Sequence, residues 1–503
     1  MKRRDFIKVT AKGSALALAS PIVAELIGVC PAGAAELEWS SMASADNEIG
    51  QVLAEALSRG GQFGEVYLEE TIRTGIRVGD SKIESIQLGS DRGGGVRVIN
   101  DWKTGYAYCD SWEPADLKRA AGIASRIGKP GAAVAEIKPS DVKARSRRGI
   151  VSYELDPSEV LADAKVKVVE LADRVAREYD PAITQVRIDY RDEIKRMVVF
   201  NSEGVAVQQE IPLVWLSIDL LASRGDRRAP GYVRRSAKSG FEYATEEFAR
   251  ETAEEGARQA LAMLDAVDAP SGEMPVVIAS GGGVVFHEAM GHGLEADGVD
   301  RGTSFYAGLV GEKVGSELVT IVEDGSIPHL RGSFDYDDEG TPSGRNVLIE
   351  NGVLRGYISD WLTANKLGIP LTGNGRRQSY MHYPLVRMTN TLVMDGGSDP
   401  EEIISRTPRG IYALRLGGGE VDTTTGNFTF GVREAYLIEN GKITSPVRGA
   451  TLIGNGPEIL KRIDMVGDDT TFWPGTCGKG QWVPVSSGAP TLRIASINVG
   501  GTA

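Results

Sequence analysis

The chain has 503 residues, of which 41% are hydrophobic and 25% are charged, and its formal net charge is −13. This length predicts two domains, and this balance of residues is typical of a globular protein. The acidic charge argues against nucleic acid or an anionic membrane surface as the main partner, and no apolar run is long enough to form an integral membrane segment.

The first 35 residues have the composition of an export signal. Arg3 and Arg4 are paired, Phe6 and Lys8 follow them, and a weakly apolar stretch leads to an A-x-A-like sequence near residue 35. This pattern resembles a twin-arginine signal, and it predicts a periplasmic or other extracytoplasmic location. The alternative is an ordinary basic N-terminus on a cytoplasmic protein. Residues 1–35 are therefore left out of the fold prediction.

Residues 36–268 are predicted to form an α+β domain of helices and antiparallel strands. Apolar residues recur at helical spacing in four segments, and shorter alternating segments predict strands joined by turns. The helices are expected at residues 47–59, 114–127, 157–179 and 245–264. The strands are expected at residues 65–72, 81–88, 95–99, 185–190, 196–200, 205–209 and 213–221.

A linker is predicted at residues 268–275, and a β-rich C-terminal domain at residues 274–503. After a strand at 276–279 and one short helix, most of this domain has the pattern of hairpins. The sequence Leu-Ile-Glu-Asn-Gly occurs at 348–352 and again at 437–441, and Asn-Gly is typical of a two-residue hairpin turn. The predicted class of the whole chain is therefore α+β.

The short helix of the C-terminal domain carries the sequence Phe-His-Glu-Ala-Met-Gly-His-Gly. His287 and His292 can offer imidazole nitrogens to a divalent metal, and Glu288 stands where a carboxylate can accept a proton from water beside that metal. Histidines five positions apart point about 140° away from each other on an ideal α-helix. We therefore predict that this metal-binding helix widens into a π-type turn or breaks near Gly291.

A third metal ligand has to come from another part of the chain. Cys477 lies in a glycine-rich stretch that predicts a tight loop, and Lys479 nearby favours the thiolate form of the cysteine. A buried structural cysteine is an equally open interpretation of the sequence. Glu295 and Asp297 could orient an imidazole or could be ordinary carboxylates at a helix end.

Three further residues are predicted to have structural roles. His329 and His382 lack a ligand partner at a useful spacing, and Cys109 is expected to be a small core residue. Three consecutive glycines at 417–419 lack the spacing of a nucleotide-binding loop. They predict a close backbone approach, such as that of a peptide lying along a strand edge.

The chain resembles the TldD/PmbA family from about residue 48 to residue 494. The matching blocks lie at residues 65–67, 90–93, 95–98, 286–297, 338–342, 387–391, 417–422 and 475–479. The family has two branches that pair as subunits of one peptidase, and only one branch keeps the His-Glu-x-x-x-His pattern and the late cysteine. This chain keeps both, so it resembles the TldD-like, metal-binding branch.

The resemblance implies a zinc peptidase that acts on unstructured peptides or small unfolded proteins. It implies His287, His292 and Cys477 as ligands of Zn²⁺, Glu288 as the general base, and a closed chamber formed with a PmbA/TldE-like partner subunit or a second copy. The export signal departs from the family, whose typical members look cytoplasmic. The alternative is a non-catalytic, metal-containing peptide-binding or chaperone-like subunit of a heteromeric assembly. A nucleic-acid-directed regulator is a third interpretation, which the acidic charge disfavours.

Overall fold

The computed structural model describes residues 46–128 and 149–501. The predicted export signal lies outside the described residues. The described part combines helices with sheets whose strands are mostly antiparallel, so the predicted α+β class is confirmed. No helix in these ranges has both the length and the apolar composition that a membrane crossing requires.

A six-stranded antiparallel sheet organises the N-terminal half. Its strands are β1 (Phe63–Gly79), β2 (Lys82–Asn100), β3 (Lys103–Cys109), β4 (Ile183–Asn201), β5 (Ala206–Arg224) and β6 (Arg227–Ala237), in the order β3-β2-β1-β4-β5-β6. The four predicted helices are confirmed as α1 (Asp46–Leu57), α2 (Pro114–Ala124), α3 (Ala162–Tyr179) and α4 (Glu246–Leu264). α3 begins later than predicted, because Asp156 caps a separate 3₁₀ turn at Pro157–Glu159.

One face of this sheet packs against the helices, and the other faces the C-terminal half. Val66 and Ile76 of β1 both point to the helix face, where Val66 packs with α1 and α2 and Ile76 packs with α3 and α4. Alternate residues of a strand point to opposite faces, so Tyr67, next to Val66, points to the other face and packs against Phe334 and Tyr380. The face of the N-terminal sheet that is not covered by helices therefore packs against the C-terminal half.

The strands of this sheet are longer than the sequence predicts. The predicted strands at 81–88 and 95–99 are one strand, because β2 passes through Gly93, Gly94 and Gly95 without a turn. A Cβ on Gly94 would lie 2.5 Å from a methyl group of Leu117, and one on Gly95 would meet the hydroxyl of Tyr106. These glycines therefore allow close packing rather than a change of chain direction. The strands predicted at 185–190 and 196–200 merge into β4 in the same way, and those at 205–209 and 213–221 merge into β5.

The C-terminal half is built of short helices and many strands. Its helices are α5 (Val284–Ala289), α6 (Ala296–Asp300), α7 (Trp361–Leu367), α8 (Pro400–Ser405) and α9 (Gly456–Lys461). Its strands are β7 (Val267–Asp268), β8 (Gly272–Ile278), β9 (Ile321–Asp324), β10 (Arg345–Glu350), β11 (Val353–Leu354), β12 (Gly375–Arg376), β13 (Leu385–Val386), β14 (Asn390–Val393), β15 (Arg409–Val421), β16 (Asn427–Glu439), β17 (Lys442–Arg448), β18 (Thr451–Asn455), β19 (Ile463–Val466), β20 (Thr471–Gly478), β21 (Trp482–Ala489) and β22 (Leu492–Gly500).

Most of these strands belong to two sheets. One has six strands in the order β11-β10-β9-β14-β21-β20. The other has eight, in the order β15-β8-β22-β18-β16-β17-β7 with β19 beside β22, and β15 also pairs with β16, so that five of its strands close a ring. A large apolar core containing residues of both sheets surrounds α5. The strand predicted at 276–279 lies in β8, and Pro275, predicted to be in the linker, is also part of β8.

Both predicted Asn-Gly turns are confirmed. Asn351 and Gly352 have φ angles of 49° and 76°, and Asn440 and Gly441 have φ angles of 51° and 73°. Two consecutive residues with positive φ are typical of the type I′ turn, whose twist suits a two-residue hairpin. These turns join β10 to β11 and β16 to β17.

Candidate metal centre

The segment that carries the two histidines is not a continuous helix. α5 ends at Ala289, Met290 leaves helical geometry with φ −126° and ψ −43°, and a 3₁₀ helix then spans Gly291–Leu294. The break that the five-residue spacing predicts is therefore confirmed, and its form is a break rather than a π-type turn. The break brings the His287 and His292 rings to a centroid distance of 5.9 Å.

The glycines of this segment are required by close packing. Neither Gly291 nor Gly293 has a positive φ, so the chain distortion itself does not demand glycine. A Cβ on Gly291 would collide with the sulfur of Met388, and one on Gly293 would lie 2.8 Å from the ring of Phe305. The break therefore sits against neighbouring side chains that leave no space for a larger residue.

The structure brings His287, His292 and Cys477 together. One ligand atom from each lies within 4.8 Å of the other two, and the three residues are only 2%, 8% and 1% exposed. Cys477 lies in β20, opposite Val483 of β21, and not in a loop as predicted. The turn begins only after Gly478, so the regular pairing of two strands fixes the direction of the sulfur.

The three donor atoms fit a zinc ion. The Nε2 atom of His287 is buried and has no hydrogen-bond partner among the described residues, which is costly unless a ligand satisfies it. The Sγ atom of Cys477 lies 3.4 Å from Nε2 of His292. In a tetrahedral zinc site, with bonds of about 2.3 Å to sulfur and about 2.0 Å to nitrogen, this separation is about 3.6 Å.

A buried threonine and a buried glutamate hold His287. The Thr391 hydroxyl lies 3.0 Å from Nδ1 of His287 and donates a hydrogen bond of 2.7 Å to Oε2 of Glu323. Because Thr391 donates to the carboxylate, it accepts from the N–H at Nδ1, which leaves the Nε2 lone pair directed at the centre. Thr391 and Glu323 face each other on β14 and β9. No pattern in the sequence identifies either residue as part of the site.

A carboxylate also holds His292. Oε2 of Glu295 lies 2.9 Å from Nδ1 of His292, so the orienting role is the one the structure supports for Glu295. Asp297 instead contacts Lys479, whose Nζ lies 2.6 Å from Asp297 and 3.0 Å from Glu295. Burial opposes ionisation of Glu295, but the charges of Lys479 and His292 lower its pKa to about 2. Lys479 therefore contacts these two carboxylates. The sequence instead predicts that Lys479 stabilises the thiolate of Cys477.

The surroundings of Glu288 and Cys477 lower the pKa of both groups. Burial would raise the pKa of Glu288, but its hydrogen bond with His292 and the charge of His287 lower it overall. Burial also opposes ionisation of Cys477, but the charge of His292, the hydrogen bond of the sulfur with His292 and the nearby His287 lower the thiol pKa to about 5. The Glu288 side chain remains 21% exposed, and its Oε2 lies 3.4 Å from Nε2 of His292. A carboxylate that can accept a proton thus stands beside the three donors.

The other candidates lie elsewhere. Nδ1 of His329 is 3.1 Å from the carbonyl oxygen of Lys238, Nδ1 of His382 is 3.0 Å from the Ser379 hydroxyl, and neither histidine belongs to the ligand cluster in the described ranges. Cys109 is half-buried at the end of β3 and packs against the apolar core beneath α1 and α2, as predicted for a small core residue. The close approach predicted at residues 417–419 is made by the Phe430 ring of the neighbouring strand, which packs on Gly419.

Gly283, at the start of α5, offers a test of how tightly this helix is held. A Cβ at this position would lie 2.5–2.6 Å from backbone atoms of Gly488, which cannot rotate away. We expect Gly283→Ala to lower the free energy of unfolding by about 1–3 kcal/mol, measured by urea denaturation. Gly418→Ala is the control, because nothing lies within 4 Å of the added Cβ. Equal stability of the two variants would contradict this packing.

Comparisons with known proteins identify the family of the chain. Residues 64–128, 155–264 and 271–501 match the family models for domain 1, the central domain and the C-terminal domain of the PmbA/TldA metallopeptidases. The Metalloprotease TldD homolog of Haemophilus influenzae is 42% identical over 427 residues, which are 82% of this chain and 87% of that protein. The Zinc metalloprotease TldD homolog of Saccharolobus solfataricus is 27% identical over 445 residues, which are 88% of this chain and 97% of that protein.

A solved structure has the same fold. The crystal structure of TldE from Thermococcus kodakarensis matches with a TM-score of 0.73 and 21% identity, and the match covers 90% of this chain and 100% of that one. At this identity the likeness shows the fold alone. Taken with the family models and the more similar relatives, the chain belongs to the PmbA/TldD family of metallopeptidases.

Proposed function

We propose that the chain is a zinc-dependent peptidase that hydrolyses unstructured peptides or small unfolded proteins. His287, His292 and Cys477 would hold the zinc, and Glu288 would be the general base. The observation that carries this proposal is the convergence of two imidazole nitrogens and one sulfur within 4.8 Å, with the Glu288 carboxylate beside them. Three protein donors are typical of a catalytic zinc site, whereas a structural site has four. The relative named a zinc metalloprotease supports the choice of metal.

In the proposed reaction, zinc supplies Lewis acidity to the scissile carbonyl and to the attacking water. Glu288 accepts a proton from this water and returns it to the leaving amine. Thr391 and Glu295 keep the Nδ1 atoms of the two histidines occupied, so that both Nε2 atoms face the centre. Two neutral imidazoles and one thiolate would leave zinc a formal charge of about +1. Zinc with this charge would acidify the attacking water less than a site of three histidines, so the rate would depend more on Glu288 as the base.

The burial of the site favours extended substrates. All three donors are buried, and only part of Glu288 is exposed. A folded protein cannot bring an internal peptide bond to donors at this depth, whereas a flexible segment can enter in extended form. This is the physical reason to propose unstructured peptides and small unfolded proteins as the substrate class.

Zinc content and peptide cleavage together test the proposal. The purified chain should contain about one zinc ion and should cleave a random peptide pool, alone or with a PmbA/TldE-like partner. Removal of zinc with a chelator should stop cleavage, and added zinc should restore it. Bound zinc and bound peptides without any product, in the presence of the partner as well, would favour the non-catalytic, chaperone-like alternative.

We further propose that a PmbA/TldE-like subunit or a second copy of this chain completes a chamber around the site, and that a twin-arginine signal exports the chain. The shared fold with TldE supports a partner of the same architecture, and Arg3 and Arg4 support the export route. Fractionation of cells that express the wild-type chain or its Arg3→Lys/Arg4→Lys variant tests the route. The wild-type chain should reach the periplasm, and the variant should stay in the cytoplasm.

Thr391→Val tests how His287 is held. Valine has the shape of threonine but cannot accept from Nδ1, so His287 loses the contact that fixes its tautomer. We expect the affinity for zinc to fall by about 10–100-fold, as is usual when such a partner is lost. Thr391→Ser keeps the hydroxyl and should remain close to wild type. Competition with a chromophoric chelator measures both, and equal zinc affinities of the two variants would remove this role of Thr391.

A further inference from the structure

A cavity lined by charged and apolar side chains lies between the N-terminal sheet and the C-terminal half, on the other side of β21 from the metal centre. It has a volume of about 70 Å³ and is lined by residues of both halves. Trp482 and Pro484 of β21 line it, whereas Val483, which alternates with them, packs in the core with Cys477. The cavity and the metal centre both lie next to the turn that joins β20 to β21.

A buried lysine lines this cavity without a direct ion-pair partner among the described residues, although Glu69, Glu193, Asp337 and Asp338 also line it. Lys238 follows β6 and is only 4% exposed. Its amine has no hydrogen-bond or ion-pair partner among the residues that the structure describes, and its Nζ lies 5.4 Å from the centre of the Phe334 ring. Burial and the nearby charges of Arg376 and Lys195 lower the pKa of Lys238 well below its usual range, although the charge of Asp338 acts in the opposite direction. Burying such a group without a partner is costly, so its retention here points to a ligand.

Arg376 is a second cation of the same kind. Its guanidinium group lies 5.3 Å from the same Phe334 ring and donates to the carbonyl oxygens of Met388 and Pro484, at 2.5 Å and 2.7 Å. Within the described ranges it makes no ion pair with a carboxylate. Lys195, by contrast, lies 3.3 Å from Glu69 and 3.2 Å from Asp338.

We propose that this cavity binds a carboxylate of the peptide substrate, held between the Lys238 amine and the Arg376 guanidinium. A guanidinium and an ammonium group both form strong charge-assisted hydrogen bonds with carboxylates, and a bound carboxylate would raise the pKa of Lys238 and so favour its charged form. Phe334, Ile211 and Leu213 provide apolar walls for the stem that carries the carboxylate. Trp482, which is 65% exposed, marks the open end. About 70 Å³ suits one carboxylate with a short stem, not a nucleotide.

The carboxylate has two sources in a peptide, its C-terminus or an acidic side chain. That the ligand is a peptide rests on the proposed function, whereas the need for a carboxylate rests on Lys238 and Arg376. Cys477 of the metal centre and Trp482 of the cavity lie on either side of the turn between β20 and β21, so an extended peptide that passes this turn would lie near both. The cavity would then fix the position of the peptide relative to the bond that is cleaved.

Binding of matched peptides tests this inference without requiring hydrolysis. A fluorescein-labelled unstructured peptide is made in four forms, with a free C-terminal carboxylate or an amide, and with Glu or Gln at one internal position. Binding to the zinc-loaded Glu288→Gln chain is followed by anisotropy. We expect loss of the recognised carboxylate to weaken binding by about tenfold, as loss of a charge-assisted contact does. Sensitivity to the amide identifies the C-terminus, and sensitivity to Gln identifies the side chain.

Lys238→Met, added to this chain, should abolish the difference between the peptide forms. Arg77→Met is the matched control and should keep it, because Arg77 pairs with Asp189 at 2.7 Å and lies outside the cavity. Equal binding of all four forms to the Glu288→Gln chain would overturn the inference even if Lys238→Met fails to fold. If the wild-type chain cleaves peptides while all forms bind equally, the inference fails and the proposed function stands. Absence of both binding and cleavage overturns the two together.

Discussion

Glu288→Gln is expected to remove nearly all peptide hydrolysis while the chain stays folded and keeps its zinc. Glutamine has the size of glutamate, but it cannot accept a proton from water. A positioned general base contributes about 10²–10⁴-fold to a rate, so we expect kcat to fall by at least about 100-fold. The zinc content should not change, because the three donors are His287, His292 and Cys477.

Three measurements on one preparation make this result interpretable. Initial rates on a quenched fluorescent peptide give kcat, elemental analysis gives zinc per chain, and thermal melting shows the fold. Asp297→Asn is the control for loss of a carboxylate in the same segment, because Asp297 contacts Lys479 and Arg301 rather than a histidine. Its rate should stay near that of the wild-type chain. A Glu288→Gln variant that retains a tenth or more of the wild-type rate would exclude Glu288 as the base.

How much of this site is visible in the sequence depends on how local each contact is. His287, Glu288 and His292 lie within one short segment, and the helical angle of about 140° between the histidines also predicts the break at Met290. Cys477 is 185 positions from His292, and no spacing rule connects them, so only the family resemblance points to it. The prediction that its neighbour Lys479 stabilises the thiolate is wrong, because closeness along the chain does not determine where two side chains point.

Glu323 and Thr391 show why the surroundings of the site stay hidden. They are 68 positions apart and meet only because β9 and β14 are neighbours in a sheet. Nothing in either local sequence distinguishes a carboxylate that orients a metal ligand from one in any buried strand. The same holds for Lys238, whose importance depends on the absence of a carboxylate partner within the described ranges.

For the fold, the periodicity of apolar residues identifies the helices and strands, whereas several glycines and prolines suggest strand ends where the strand in fact continues. Gly93, Gly94 and Gly95 predict a turn, yet β2 continues through them because neighbouring side chains need the space above them. Pro212 lies inside β5 and Pro275 inside β8. Whether a glycine or proline ends a strand is decided by what packs against it, which is a tertiary property.

Replacing His292 and Cys477 together by alanine is expected to reduce bound zinc from about one ion per chain to nearly none, because only His287 remains as a donor. A ligand that binds only the folded chain stabilises it by RT ln(1 + [L]/Kd), which is about 4 kcal/mol at 1,000 times Kd. Added zinc should therefore raise the melting temperature of the metal-depleted wild-type chain and leave that of the double variant unchanged.

Comparing each protein with and without zinc removes the effect of the substitutions on the metal-free fold. This matters because His292 and Cys477 are buried, and their truncation leaves cavities that destabilise the chain by themselves. Cys109→Ala/His382→Ala is the matched control, since it removes the same two residue types away from the centre. It should keep both its zinc and the zinc-dependent rise in melting temperature. If the His292→Ala/Cys477→Ala chain stays folded and retains a full complement of zinc, the ion is bound elsewhere, and the hydrolytic role of Glu288 loses its basis.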